Sequence, residues 1–153
     1  TDEGFKALSG VHHVNLGKTL ITDEGLCALA GVHSISIYCC QNITDEGVRA
    51  LAGVHTIFLD YTSVTDEGLR YLGGVKVISL QYCKHISDKG VSSLIGAQKL
   101  VLSGCAQITD DAVVNLTSLA EIVYFKTQIT KKMIDYLQCK ATTNNITTEF
   151  INW

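Results

Sequence analysis

Five histidines, His12, His13, His33, His55 and His85, are the first residues to weigh for acid–base or metal chemistry. His12, His33 and His55 recur at one phase of a repeat, so on a sheet they would form a column of rings about 5 Å apart. That column continues as Lys76, Gln98 and Ala120, as a solvated position at the start of a strand varies, and no metal is assigned to it. The acid pairs Asp23-Glu24, Asp45-Glu46 and Asp66-Glu67 could be mistaken for catalytic carboxylates. Each follows a Thr and opens a short helix, where the helix dipole accounts for it, and no neighbour would split the two pKa values. Gly73-Gly74 precedes a strand, which excludes a phosphate loop, and no Ser or Cys has a placed base. No catalytic residue, metal or cofactor is therefore expected.

The segment Cys40 to Leu59 explains most of these placements, because it returns along the whole chain. Units begin at Val11, Val32, Val54, Val75, Ala97 and Leu119, a period in the low twenties that indicates a solenoid. Within each unit two apolar residues alternate, as in Ile35 and Ile37 or Ile57 and Leu59, which is a strand with one face buried. Three residues on stands Thr19, Cys40, Thr62, Cys83, Cys105 or Thr127. Thr is followed by one spacer before the next apolar residue and Cys by two, so this side chain is expected to satisfy backbone groups in a buried turn of two lengths. Thr22, Thr44, Thr65, Ser87, Thr109 and Thr130 then stand as N-caps. Pairs such as Val48 and Leu51 make an inward helical face, and Gly31, Gly53, Gly74 and Gly96 end the helices as C-terminal glycines.

Strand positions that point away from the core carry no packing constraint, and function is expected there. Tyr38, Phe58, Tyr61 and Tyr82 fall on three consecutive strands beside Asp60 and Gln81. Clustered exposed aromatics are the usual anchors of protein interfaces, so these six are the predicted partner-binding residues. Parity sends Tyr38 and Phe58 outward. The direction of Tyr61 and Tyr82, just past the strand ends, depends on the turn.

The pattern L-x-x-L-x-L-x-x-C-x-x-I-T-D resembles the cysteine-containing subtype of the leucine-rich repeat, known best from the substrate-binding halves of F-box proteins. The resemblance covers roughly residues 1–140. It differs in carrying Val32, Val54, Val75 and Ala97 where that subtype has a second Cys, and in alternating Thr with Cys at the main one. It implies an α/β solenoid with a curved parallel sheet on the concave side and short helices on the convex side. It also implies substrate recognition for a ubiquitin ligase whose other parts lie outside this chain.

At 153 residues and 46 % hydrophobic, the chain reads as a single leucine-rich repeat domain over 1–153. It comprises a half repeat at 1–10, the six units, and a C-terminal cap at 141–153. A net charge of −3 with dispersed Lys and Arg argues against nucleic acid, and no apolar run is long enough to cross a membrane. Cys40, Cys83 and Cys105 are explained as repeat positions, and Cys27, Cys39 and Cys139 have no metal spacing, so a reducing, intracellular, cytoplasmic setting is expected. The half repeat is expected to be covered by further repeats or by another chain. Phe150, Ile151 and Trp153 are expected on a last short strand. The expected function is non-enzymatic: binding a protein partner on the concave sheet. The alternatives are a structural subunit of a larger assembly, or a secreted receptor-like domain if the sequons at Asn42, Asn115 and Asn145 carry sugar.

Overall fold

Each alternating apolar pair forms a three-residue strand because one face has a core to meet and the strand then runs into a tight turn. In the computed structural model the described residues are Gly4, Ala7, Leu8, 10–140 and Thr147–Thr148. Strands β1 (His13–Asn15), β2 (Ser34–Ser36), β3 (Thr56–Phe58), β4 (Val77–Ser79), β5 (Lys99–Val101), β6 (Glu121–Val123) and β7 (Thr147–Thr148) form one parallel sheet in chain order. The register repeats without slippage, with Ile35 beside Ile57, Ile57 beside Ile78 and Ile78 beside Leu100. Between strands run α1 (Asp23–Cys27), α2 (Asp45–Arg49), α3 (Asp66–Leu69), α4 (Asp88–Ser92) and, after β6, α5 (Lys131–Lys140). The fifth unit has a 3₁₀ turn, Asp110–Ala112, in place of an α-helix. Ile37, Leu59, Leu80 and Leu102 from the sheet and Leu26, Val48, Leu69 and Val91 from the helices close one continuous core. Of the predicted cap, only Thr147–Thr148 is described, paired with Glu121 and Ile122. Phe150, Ile151, Trp153, the sequon Asn145 and much of 1–10 lie outside the described residues.

The helix-start aspartates do more than meet a dipole, which corrects the sequence expectation. Asp23, Asp45, Asp66, Asp88 and Asp110 each hold the N-cap residue of the next repeat, namely Thr44, Thr65, Ser87, Thr109 and Thr130. The backbone N–H donates to Oδ1 at 2.7–2.9 Å and the hydroxyl to Oδ2 at 2.5–2.7 Å. With its proton committed to the carboxylate, the hydroxyl oxygen of Thr44, Thr65, Ser87 or Thr109 accepts from the N–H two residues on, at 3.2–3.3 Å. A Cβ at Gly47, Gly68 or Gly90 would collide with the aspartate of the preceding repeat, so Thr-Asp-Glu-Gly is one stereochemical unit.

The turn after each strand satisfies the carbonyl of its last inward residue, by two routes. Thr19, Thr62 and Thr127 donate to their own repeat's carbonyl, at Leu16, Leu59 and Tyr124, at 2.6–2.7 Å. Cys40, Cys83 and Cys105 instead reach the preceding repeat, donating to Leu16, Leu59 and Leu80 carbonyls at 3.0–3.3 Å. Burial pushes the Cys105 thiol up to about 12, helped by the neighbouring Cys83, whose own value burial also raises. The predicted C-terminal glycines divide. Gly31 and Gly53 are left-handed, with φ of 85° and 88°. Gly74 and Gly96 are not: Gly96 is small because a Cβ there would lie 2.7 Å from the Gly73 carbonyl.

Removing the carboxylate in Asp45→Ala should cost about 1.5–3 kcal/mol in denaturant unfolding. Gly68→Ala attacks the same clamp from the other side, so the double variant should lose less than the sum of the singles. In the native protein, thiol alkylation at pH 8 should label the exposed Cys27 and Cys139 and spare Cys40, Cys83 and Cys105 until the chain is unfolded.

Candidate functional site on the sheet face

One column just beyond the strands determines what the sheet face presents. Lys18, Cys39, Tyr61, Tyr82 and Lys126 all have φ of 55–61°, and the sixth member, Gly104, has 82°. A left-handed residue without glycine costs about 1–3 kcal/mol, so five in register need a compensating constraint. The ladder supplies it. The N–H of each column member from Lys18 to Gly104 donates to the next repeat: Lys18 to Tyr38, Cys39 to Asp60, Tyr61 to Gln81, Tyr82 to Ser103 and Gly104 to Phe125, at 2.7–2.9 Å. The sheet hydrogen bonding thus continues past the three-residue strands, and the left-handed turn throws the column's side chains onto the open rim.

Of the six predicted partner-binding residues, Phe58 is 36 % and Tyr61 48 % exposed, while Tyr38, Asp60, Gln81 and Tyr82 are half-buried. Tyr61 and Tyr82 stack with ring centroids 4.7 Å apart and planes 14° apart. Tyr82 also lies across Gly104, where a Cβ would collide with its ring. Tyr38 turns the other way and covers Gly17, with Lys18 Nζ 5.7 Å from its ring centroid. Tyr38 therefore stands somewhat apart from the Tyr pair. A pocket of about 270 Å³ opens beside that pair, lined by Gln41, Thr62, Ser63, Lys84 and His85.

Asp60 and Gln81 are joined to each other. Asp60 Oδ1 accepts from the Ser79 hydroxyl by a short bond and from the Gln81 backbone N–H at 2.7 Å, and Gln81 Nε2 reaches Ser79 Oγ at 3.5 Å. Burial raises the Asp60 pKa, and the bonds from Ser79 and Gln81 oppose that shift. Sequence reasoning singled out Asp60 and Gln81 but missed Ser79, which joins them. The available signal was its place on the strand beside Asp60. Outward positions are also not all solvated. Ser79 and Val123 are buried, and Ser103 is 6 % exposed with its hydroxyl lacking a hydrogen-bond partner among the described residues.

At the other edge of the face His12, His33 and His55 stack as the spacing predicts, with centroids 4.4 and 4.5 Å apart, and His13 Nε2 lies 2.8 Å from His12 Nδ1. Among the described residues no three His, Cys, Asp or Glu side chains gather as a metal site. No described helix is long and apolar enough to cross a membrane.

With this geometry established, two stretches, residues 32–52 and 75–94, match the family model described as Leucine Rich repeat. Among solved structures, a chain of the Rad7 and Elc1 complex from yeast superposes with a TM-score of 0.66 at 18 % identity, covering 83 % of this chain and 38 % of that one. Internalin C2 from Listeria monocytogenes gives 0.63 at 16 % identity, covering 97 % and 73 %. This chain thus spans well under half of the yeast chain it matches. None of the curated proteins matches it in sequence. The repeat pattern, the two matched units and the parallel sheet together give this chain a leucine-rich repeat fold, an α/β solenoid in which the strands of one sheet alternate with short helices.

The His33 pKa is lowered, by desolvation first and then by His12, His55 and His13. Because the folded value lies below the unfolded one, the unfolded chain binds the extra proton as pH falls below about 6.5. Stability should therefore be fully present above that pH and decline on acidification through the window beneath it. His33→Gln should flatten this part of the profile in urea unfolding from pH 7.5 to 5.5.

Proposed function

We propose that this chain is a non-enzymatic protein-interaction module that docks a partner protein on its concave sheet, with Phe58, Tyr61 and Tyr82 as the principal anchors and Tyr38, Asp60 and Gln81 around them. The observation that carries this reading is the Tyr61–Tyr82 stack beside exposed Phe58. These rings are held by backbone turns and by each other, so little side-chain entropy is left to lose when a partner covers them.

The finer role, presenting a substrate to a ubiquitin ligase, is supported by the resemblance of the repeats to those of F-box proteins. The likeness to a chain that occurs in a two-protein complex fits the same role. An intracellular, cytoplasmic setting is supported by thiols used as turn donors to Leu16, Leu59 and Leu80. The sequon at Asn42 fits a secreted reading poorly. Its Thr44 is committed to Asp23, its Ile43 is buried, and Asn42 Nδ2 faces the Leu20 carbonyl at 3.4 Å.

Affinity capture should compare the intact chain, Tyr61→Ala/Tyr82→Ala and the helix-side control Tyr71→Ala. A specific partner should be retained by the control and lost by the double variant, each Tyr change weakening binding by about 2 kcal/mol or more. Retention by the double variant and loss by the control would move the interface to the helices.

A further inference from the structure

The aromatic residues of the sheet face differ in what lies on them. Near one end of the row Lys18 Nζ sits 5.7 Å from the Tyr38 centroid, and near the other Lys126 Nζ sits 5.4 Å from that of Phe125. Lys99 is taken by Glu121 at 2.6 Å. The chain thus places a cation of its own on the outer rings and leaves none over Tyr61 or Tyr82 among the described residues. Beside that uncovered centre is Asp60, half-buried. No Lys, Arg or His of the described residues lies within ion-pair distance of it, and its Oδ2 accepts no hydrogen bond from them, since Ser79 and Gln81 both use Oδ1.

We propose that Asp60 and the Tyr61–Tyr82 stack form a receptor for one arginine side chain carried by the docked partner. The inference rests on the reading of the sheet face as a docking surface and names the chemistry at its centre. A guanidinium is planar. It can lie on a tyrosine face and donate in its own plane to a neighbouring carboxylate, which a tetrahedral ammonium does less well. The Ser79 and Gln81 bonds orient the Asp60 carboxylate before the ligand arrives, and stacking on Tyr82 does the same for the Tyr61 ring. One N–H to Oδ2 would give the half-buried carboxylate the counter-ion it lacks within the described residues. Lys18 and Lys126 at the flanks repel further cations, so the site takes one positive side chain and disfavours a polybasic run.

The test is an amide-resolved NMR titration of the intact chain with the capped peptide Ac-Gly-Gly-Arg-Gly-Gly-NH₂ and with its citrulline counterpart, which keeps the shape and removes the charge. With the arginine peptide, shifts should centre on Asp60, Tyr61, Gln81 and Tyr82. The citrulline peptide should bind at least about tenfold more weakly, the scale of one charge-assisted hydrogen bond. Asp60→Asn should reduce arginine binding by a similar factor, and raising the salt should weaken it further. Equal binding of the two peptides, shifts centred elsewhere, or no binding of the arginine peptide would overturn the proposal. The citrulline comparison uses the unaltered chain, so it decides even if Asp60→Asn fails to fold. A captured partner that needs Tyr61 and Tyr82 but is indifferent to Asp60→Asn would leave the docking surface standing and remove the arginine.

Discussion

The interaction on which the rest of the structure depends is the pair of hydrogen bonds that Thr44, Thr65, Ser87, Thr109 and Thr130 each donate to the aspartate of the repeat before. A helix of four or five residues is too short to hold itself in water. Here its first turn is held by a hydroxyl whose own direction is fixed by a carboxylate one repeat away. Helix formation and repeat stacking are therefore one event, which gives the nearest-neighbour coupling expected of a solenoid. Everything packed between the helix row and the sheet inherits this spacing, including the unbroken register of the strands. In the sixth unit Lys131 stands where the aspartate would be, so Thr130 receives the clamp and the aspartate series ends there.

A second set of constraints, on the sheet side, turns that regularity into a surface. The inward strand carbonyls at Leu16 and Leu59 each accept from the Thr of their own repeat and the Cys of the next, which stitches adjacent turns together. The chain leaves each turn through a left-handed residue whose N–H bonds onward to the neighbouring strand. Because the conformation is imposed by the ladder, the residue type at this position is released from the usual preference for glycine. That release lets a large ring stand there in two successive repeats, and a parallel strand spacing of about 4.8 Å is close to the separation that stacked rings prefer. The Tyr61–Tyr82 stack is thus a product of backbone geometry as much as of ring attraction.

What the sequence disclosed follows the same division. The period, the inward parity of Ile35, Ile57 and Ile78, the Thr and Ser caps and the histidine stack were all legible, because each rests on spacing alone. The clamp was not, since the partner of Asp45 is twenty residues away and the helix dipole offered a sufficient local reason for an acid there. Gly47, Gly68 and Gly90 carried the missing hint: glycine inside a helix is costly, and its recurrence signals a close approach from another segment. The left-handed column was hidden for the opposite reason, because only Gly104 among its six members announces the conformation. Parity placed Asp60, Gln81 and Phe58 on the outward face, yet it treated that face as uniformly solvated. Ser79 and Ser103 are buried on it, a matter of how neighbouring side chains lean, which spacing does not encode.

The separation of these constraints bears on how such a surface can acquire a partner. Substitution at Ile57 or Leu59 disturbs packing shared by adjacent repeats, whereas Phe58, between them in sequence, lies on the opposite face and is 36 % exposed. Outward side chains can therefore change type at small cost to the fold, while their positions stay fixed by a register that does not slip. Specificity then arises from which rings and charges stand next to one another on neighbouring strands. Lysines over Tyr38 and Phe125, an uncovered Tyr pair between them and an acid at its side make a pattern that no single repeat contains. The smallest unit that can carry this pattern is therefore several stacked repeats, and the recognition element and the stability of the solenoid share the same minimum length.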